Sequence, residues 1–167
     1  MTSQADMEFH AQVSVRYHRR RAAFLERCSA LMSVVILLGG AAAFVGVVGE
    51  ATLFAKIVTL AIVGVGVIQI VFQTDRWAAA HRQWLRQWSD MLAEIRKASA
   101  PDQHQIGRWI DRQIVIEADC VGEMKALAND CYNRTMNALQ RDGDPFKITP
   151  WQRFWMQFFS FENAEYR

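Results

Sequence analysis

The sequence predicts an all-α membrane protein: a two-helix transmembrane hairpin extended into a cytoplasmic helical stalk, then a third long helix and a short aromatic amphipathic C-terminal helix. Three observations predict it. Two uncharged apolar runs, Ser29–Gly49 and Ile57–Thr74, lie only a few residues apart. Proline occurs only 3 times in 167 residues, which leaves long helices uninterrupted. Outside the runs, apolar residues recur at helical spacing.

The hairpin comes from length. A bilayer core is about 30 Å thick and a helix rises about 1.5 Å per residue, so about 20 apolar residues span it. The first run has 21 residues and the second 18, or 23 when 52–74 is taken together. Soluble helices keep one polar face, and these runs keep none. The charged fraction of 22% therefore averages a bilayer half with a strongly polar half. The expected organisation is an N-terminal cytoplasmic helix over 1–28, the hairpin over 29–74 (29–49 and 52–74), a cytoplasmic helical domain over 75–141, and an aromatic tail over 142–167. The first run begins too late and runs too long for a cleaved leader, so it is expected to be an uncleaved anchor.

Orientation follows from the basic residues beside the spans. Arg16, Arg19, Arg20, Arg21 and Arg27 precede the first run, and Arg76, Arg82, Arg86, Arg96 and Lys97 follow the second. The connecting loop offers only Glu50 and Lys56. Both termini are expected on the cytoplasmic face of a bacterial inner membrane crossed twice, with a tight turn outside.

Upstream of the first span, Phe9, Val13, Tyr17, Phe24 and Cys28 recur at intervals of three, four or seven, which predicts one helix from about Asp6 through the span. Downstream, Trp77, His81, Trp84, Trp88, Met91 and Ile95 alternate four and three apart as a coiled-coil seam, continuing the second span into the stalk. Trp77, Trp84 and Trp88 are the expected packing residues of that seam. Ser99-Ala100-Pro101-Asp102 breaks the helix, and Asp102 can cap the next one. That helix, 102–140, places Ile106, Ile110, Ile114, Val121, Met124, Ala128, Cys131 and Leu139 inward. The stalk is about 38 Å long and a straight helix over 102–140 about 60 Å, so a bend near Gly122 or a splayed course is required. Glu117, Asp119, Glu123 and Asp130 read as a solvated face or as arginine partners. After Asp142-Gly143-Asp144-Pro145, Thr149 and Pro150 start a short helix whose Trp151, Phe154, Trp155 and Phe158 form one face, suited either to the lipid headgroup boundary or to protein packing.

Catalytic and ligand motifs are missing from the sequence. His10, His18, His81 and His104 show no metal-ligand spacing, and neither GxSxG nor GxxxxGK[ST] occurs. Cys28, Cys120 and Cys131 form no CxxC pair; Cys120 and Cys131, 11 apart, return to one helix face and read as reduced thiols. Neither enzymatic activity nor a metal, cofactor or nucleic acid is expected. The membrane half carries packing chemistry instead. Gly39, Ala42, Ala43 and Gly46 form a small-residue ridge that lets helices approach closely, and Gly64 and Gly66 resemble it in the second span. Ser33, Thr59 and Gln69 are the polar groups within the spans. A polar amide in hydrocarbon must face another helix or water, so all three are candidate pore-lining residues, with Arg76 supplying charge at the mouth.

Ser14–Phe24, with Tyr17, His18, Arg21 and Phe24, leads straight into a two-span hairpin and a charged, Trp-bearing helix. This segment resembles the bacterial SLATT proteins, two-transmembrane effector domains associated with SMODS nucleotidyltransferases and SLOG sensor domains. The resemblance covers Phe9 to Leu139. It implies an oligomeric pore-forming effector of an anti-phage or nucleotide-signalled defence system. No fused sensor is expected, so the signal would come from a separate sensor or nucleotide-signalling partner or from the cytoplasmic helices themselves. A membrane-anchored scaffold that recruits a soluble partner without conducting is the alternative. Membrane lipid and further copies of the chain are the other expected partners.

Overall fold

The computed structural model describes residues 3–48, 53–120, 122–162, 164 and 166, with the side chains of 42–48 and 55 outside the description. Among the described residues the chain is all-helical, without strands: α1 (Gln4–Val48), α2 (Leu53–Phe72), α3 (Thr74–Lys97), α4 (Gln103–Asp119), α5 (Lys125–Ala138) and α6 (Pro150–Trp155). It divides into two compact units, Met1–Arg21 with His81–Arg167, and Ala22–Ala80.

Ala22–Ala80 holds the apolar runs. Both helices are long and apolar enough to cross a membrane, yet only 17% and 6% of their most apolar stretches are buried. The core helix of a soluble protein would be largely covered. Where they touch, Ser33 meets Gln69, Ile36 lies beside Gly66, and Gly39 meets Ile62, so residue numbers rise along α1 as they fall along α2. The expected unbroken passage from span to stalk is interrupted. Gln73 adopts a left-handed φ of 44°, which separates α2 from α3, although Gln73 N–H still donates to Gln69 O and Trp77 N–H to Gln73 O at 3.1 Å each. A side chain at positive φ costs about 1–2 kcal/mol, so this joint is a defined kink.

In the other unit α3 buries His81, Trp84, Trp88, Met91 and Ile95, the expected three-four alternation. Trp77 departs from it. It lies on the Ala22–Ala80 side of the division and is 39% exposed. Gln4 donates to the carbonyls of Ile95 and Ala98 at 2.8 Å each, satisfying groups that the end of α3 leaves open. Arg96–Glu8 at 2.9 Å and Arg112–Glu94 at 2.7 Å tie α3 to α1 and α4.

Asp102 caps α4 by accepting from Gln105 N–H at 2.7 Å. The expected single helix over 102–140 is two helices, because Gly122 sits at φ +66°, a conformation that costs glycine little and other residues more. Within α4 the buried face is not the one expected from the isoleucine spacing. Ile106, Trp109 and Ile116 are buried in α4, while Ile114 is exposed, contrary to its expected inward position, and Leu139 lies outside the core. Cys120 caps the end of α4 and Cys131 lies within α5, so the two thiols do not share a helix face. Val121 lies outside the described residues. α5 packs Ala126, Leu127 and Cys131 with Tyr17 and Met156. Thr149 starts α6 with a reciprocal cap to Gln152 and with Pro150 in the first turn.

Candidate functional site

Two places gather the residues singled out by the sequence. The first is in the apolar unit. Gln69 donates through Nε2 to Ser33 Oγ at 3.3 Å, with Ser33 exposed and Gln69 only half-buried. Thr59 is exposed one face away, and Arg76 donates to Gln73 Oε1 at 3.2 Å. A Cβ at Gly39 would run into the Ile62 side chain, so that glycine serves an approach within one chain. The side chains of Ala42, Ala43 and Gly46 lie outside the described set.

The second is a cavity of about 370 Å³ inside the Met1–Arg21/His81–Arg167 unit. It forms because α1 and α3 each place a histidine on their facing stripes, four residues after Ser14 and three before Trp84. His18 Nδ1 and His81 Nδ1 stand 2.9 Å apart, both buried. One ring must donate and the other accept, so the two are opposite tautomers. Trp84 packs on both, with ring centroids 5.5 Å from His18 and 5.0 Å from His81. Burial lowers the pKa of His18 to about 4; burial, then the nearby His18 and Arg21 charges, lowers that of His81 to about 3. Both are neutral at pH 7.

Cys120 closes one side of the cavity. Its thiol donates to Ile116 O at 3.3 Å and lies 4.0 Å from His18 Nε2. Burial, reinforced by Glu117, Asp119 and Glu123, raises its pKa to about 11. A thiol that stays protonated beside imidazoles this weakly basic is a poor nucleophile pair. Among the described residues no group of three or more His, Cys, Asp or Glu side chains is placed to hold a metal ion. Glu117 also stands 3.8 Å from His10, and the indole N–H of Trp88 is buried without an acceptor among the described residues.

Of the SLATT-like residues, Tyr17 and His18 line this cavity. Tyr17 OH accepts from Met124 N–H at 3.0 Å, and its burial raises its pKa. Arg21 donates to the Gln157 carbonyl, pinning the tail, while half-buried Phe24 belongs to the other unit. Asp130, one of four acids expected either on a solvated face or as arginine partners, is buried and takes Arg20 at 2.5 Å and Arg134 at 2.7 Å. Burial alone would raise its pKa, but the hydrogen bonds from Arg20 and Arg134 bring it below the usual carboxylate range.

On the aromatic tail Trp151, Phe154 and Phe158 are exposed, and Trp155 is half-buried among their rings. A shallower depression lies beside Lys97, Arg108 and Arg112, where Arg112 is paired with Glu94 and Arg108 with His104 at 2.8 Å. The cavity and its histidine pair were missed from sequence because His18 and His81 are 63 positions apart.

No protein family, curated protein or solved structure matches the chain.

Proposed function

We propose that this chain is a homo-oligomeric pore-forming protein of the bacterial inner membrane, crossing it twice as a helical hairpin, with both termini and the polar helical unit in the cytoplasm. The observation that carries the reading is the Ser33–Gln69 pair. It lies between two helices whose surroundings are bare leucine, isoleucine and valine, yet Ser33 is exposed and Gln69 only half-covered. One shared hydrogen bond does not use every donor and acceptor of an amide and a hydroxyl, and a polar group left uncompensated in an apolar medium costs roughly 2–7 kcal/mol. Further copies or a water-filled path would meet that need, and two spans cannot enclose a path alone.

Gln69, Ser33 and Thr59 would wet the lumen, while Arg76 would set a positive field at its inner mouth and disfavour cations. Trp151, Phe154 and Phe158 would lie at the headgroup boundary. The resemblance to SLATT proteins supports an anti-phage or nucleotide-signalled setting, with a separate sensor as partner. In planar bilayers, Gln69→Leu should reduce conductance and Arg76→Glu should shift reversal potentials toward cation selectivity. Currents unchanged by both variants would remove this path.

The scaffold reading keeps one observation of its own. Ile114 and Val115 are adjacent and exposed on α4, a patch that a soluble partner could cover.

A further inference from the structure

We propose that the cavity beside the histidine pair binds a small organic cation of the amino-alcohol class, a quaternary or protonated amine carrying a hydroxyl oxygen. The proposal concerns the polar helical unit alone and does not depend on whether the chain conducts.

Size comes first. About 370 Å³ lies at the small end of the roughly 300–1,000 Å³ range of ligand sites. Charge comes next. Glu117 and Glu123 line the cavity, and among the described residues no Lys or Arg does. The carbonyl end of α4 is there too, since the helix ends at Asp119 and its cap Cys120 lines the same space. A helix C-terminus carries a partial negative charge that favours cations. The buried imidazoles of His18 and His81 are neutral and do not offset this, while half-exposed His10 also lines the cavity, 3.8 Å from Glu117. Glu117 and Glu123 disfavour a phosphate there.

The walls also carry three aromatics, Tyr17, Trp84 and Trp88. Aromatic faces attract ammonium groups through the ring quadrupole and are indifferent to the lack of N–H donors on a quaternary nitrogen. Trp88 adds a requirement. Its indole N–H is buried, the residue being 1% exposed, and has no acceptor among the described residues. A ligand oxygen would satisfy it, which is why the class is an amino alcohol and not a bare ammonium ion.

The test is a tryptophan fluorescence titration of the full chain in maltoside micelles, which carry no choline headgroup. The probes are choline, its uncharged isostere 3,3-dimethylbutan-1-ol, tetramethylammonium and AMP. Choline should give a saturable response, and the neutral isostere should bind at least tenfold more weakly. Tetramethylammonium, lacking the oxygen, should bind more weakly than choline in the parent, and a Trp88→Phe variant should lose that preference. Glu117→Gln with Glu123→Gln, both exposed positions, should weaken choline at least tenfold. No saturable response to choline, an isostere binding as tightly, or AMP binding more tightly than choline would each overturn the proposal. The comparison of probes on the parent chain decides it even if a variant melts early.

Discussion

His18 and His81 meet Nδ1 to Nδ1 at 2.9 Å, one from α1 and one from α3, so each buried ring uses the other as the partner of its inner nitrogen. The hydrogen bond needs one Nδ1 without a proton, so it is lost once the accepting nitrogen is protonated and two donors face each other. Burial lowers the pKa values to about 4 for His18 and about 3 for His81, against an unfolded value of 6.5. Between pH 6.5 and about 4 the unfolded chain therefore binds more protons than the folded one. Stability from this pair is fully present above pH 6.5 and is lost as pH falls through the folded values, by at most about 1.4 kcal/mol per pH unit for each ring. Thermal unfolding in detergent should be level between about pH 7 and 8 and fall steadily from 6.5 toward 4. His81→Phe should flatten that slope, and a parent chain equally stable at pH 7 and pH 5 contradicts the assignment.

Gly39 and Ile62 set the closest approach of α1 to α2. Because a Cβ at Gly39 would strike the Ile62 side chain, Gly39→Ala should lower the melting temperature, and adding Ile62→Ala should recover much of the loss. Gly40 has open space around its Cβ position, so Gly40→Ala is the matched control and should be neutral or slightly stabilising. Contacting residues typically couple by about 0.5–3 kcal/mol. A double variant with purely additive losses would show that the two helices do not meet there.

Asp130 anchors α5 to α1. Asp130→Asn would leave the Arg20 guanidinium without its charged acceptor, and hydrogen bonds to charged groups are worth about 1.5–3 kcal/mol. The variant should lose about 2 kcal/mol in chemical unfolding, and adding Arg20→Met should cost less than the sum of the two single changes. Asp119→Asn, on an exposed residue, should be silent in the same assay.

Much of this architecture was legible in the residues themselves. The helical spans, the break at Ser99–Pro101, the caps at Asp102 and Thr149 and the buried stripe from His81 to Ile95 all follow from local patterns. Gly122 was recognisable as a weak point, but two separate helices stand on either side of its left-handed backbone, and in the first of them Trp109 and Ile116 are buried. Spacing alone does not say which stripe of α4 turns inward, so it misassigned Ile114, and it assumed one helix through Gly122, so it misassigned the shared face of Cys120 and Cys131. Trp77 fits the seam by spacing, yet the Gln73 kink and the division at Ala80 set it apart. The histidine pair and the Asp130 cluster depend on tertiary contacts between positions 63 and 110 apart, which no local pattern encodes.

Arginines flank both outer ends of the proposed hairpin, so reporters at either terminus should report the cytoplasm. A fluorescent protein at the C-terminus should glow, and alkaline phosphatase at the same site should be silent. Periplasmic phosphatase activity from that fusion would reverse the topology.

The most direct measurement of the central claim is ion leakage from sealed liposomes containing the purified chain at known copy number. The pore reading expects leakage that rises steeply with protein per vesicle, since several copies must assemble, and that falls when Gln69 is replaced by leucine. Vesicles that hold inserted protein yet stay sealed at every loading would contradict it and leave the membrane-anchored scaffold in its place.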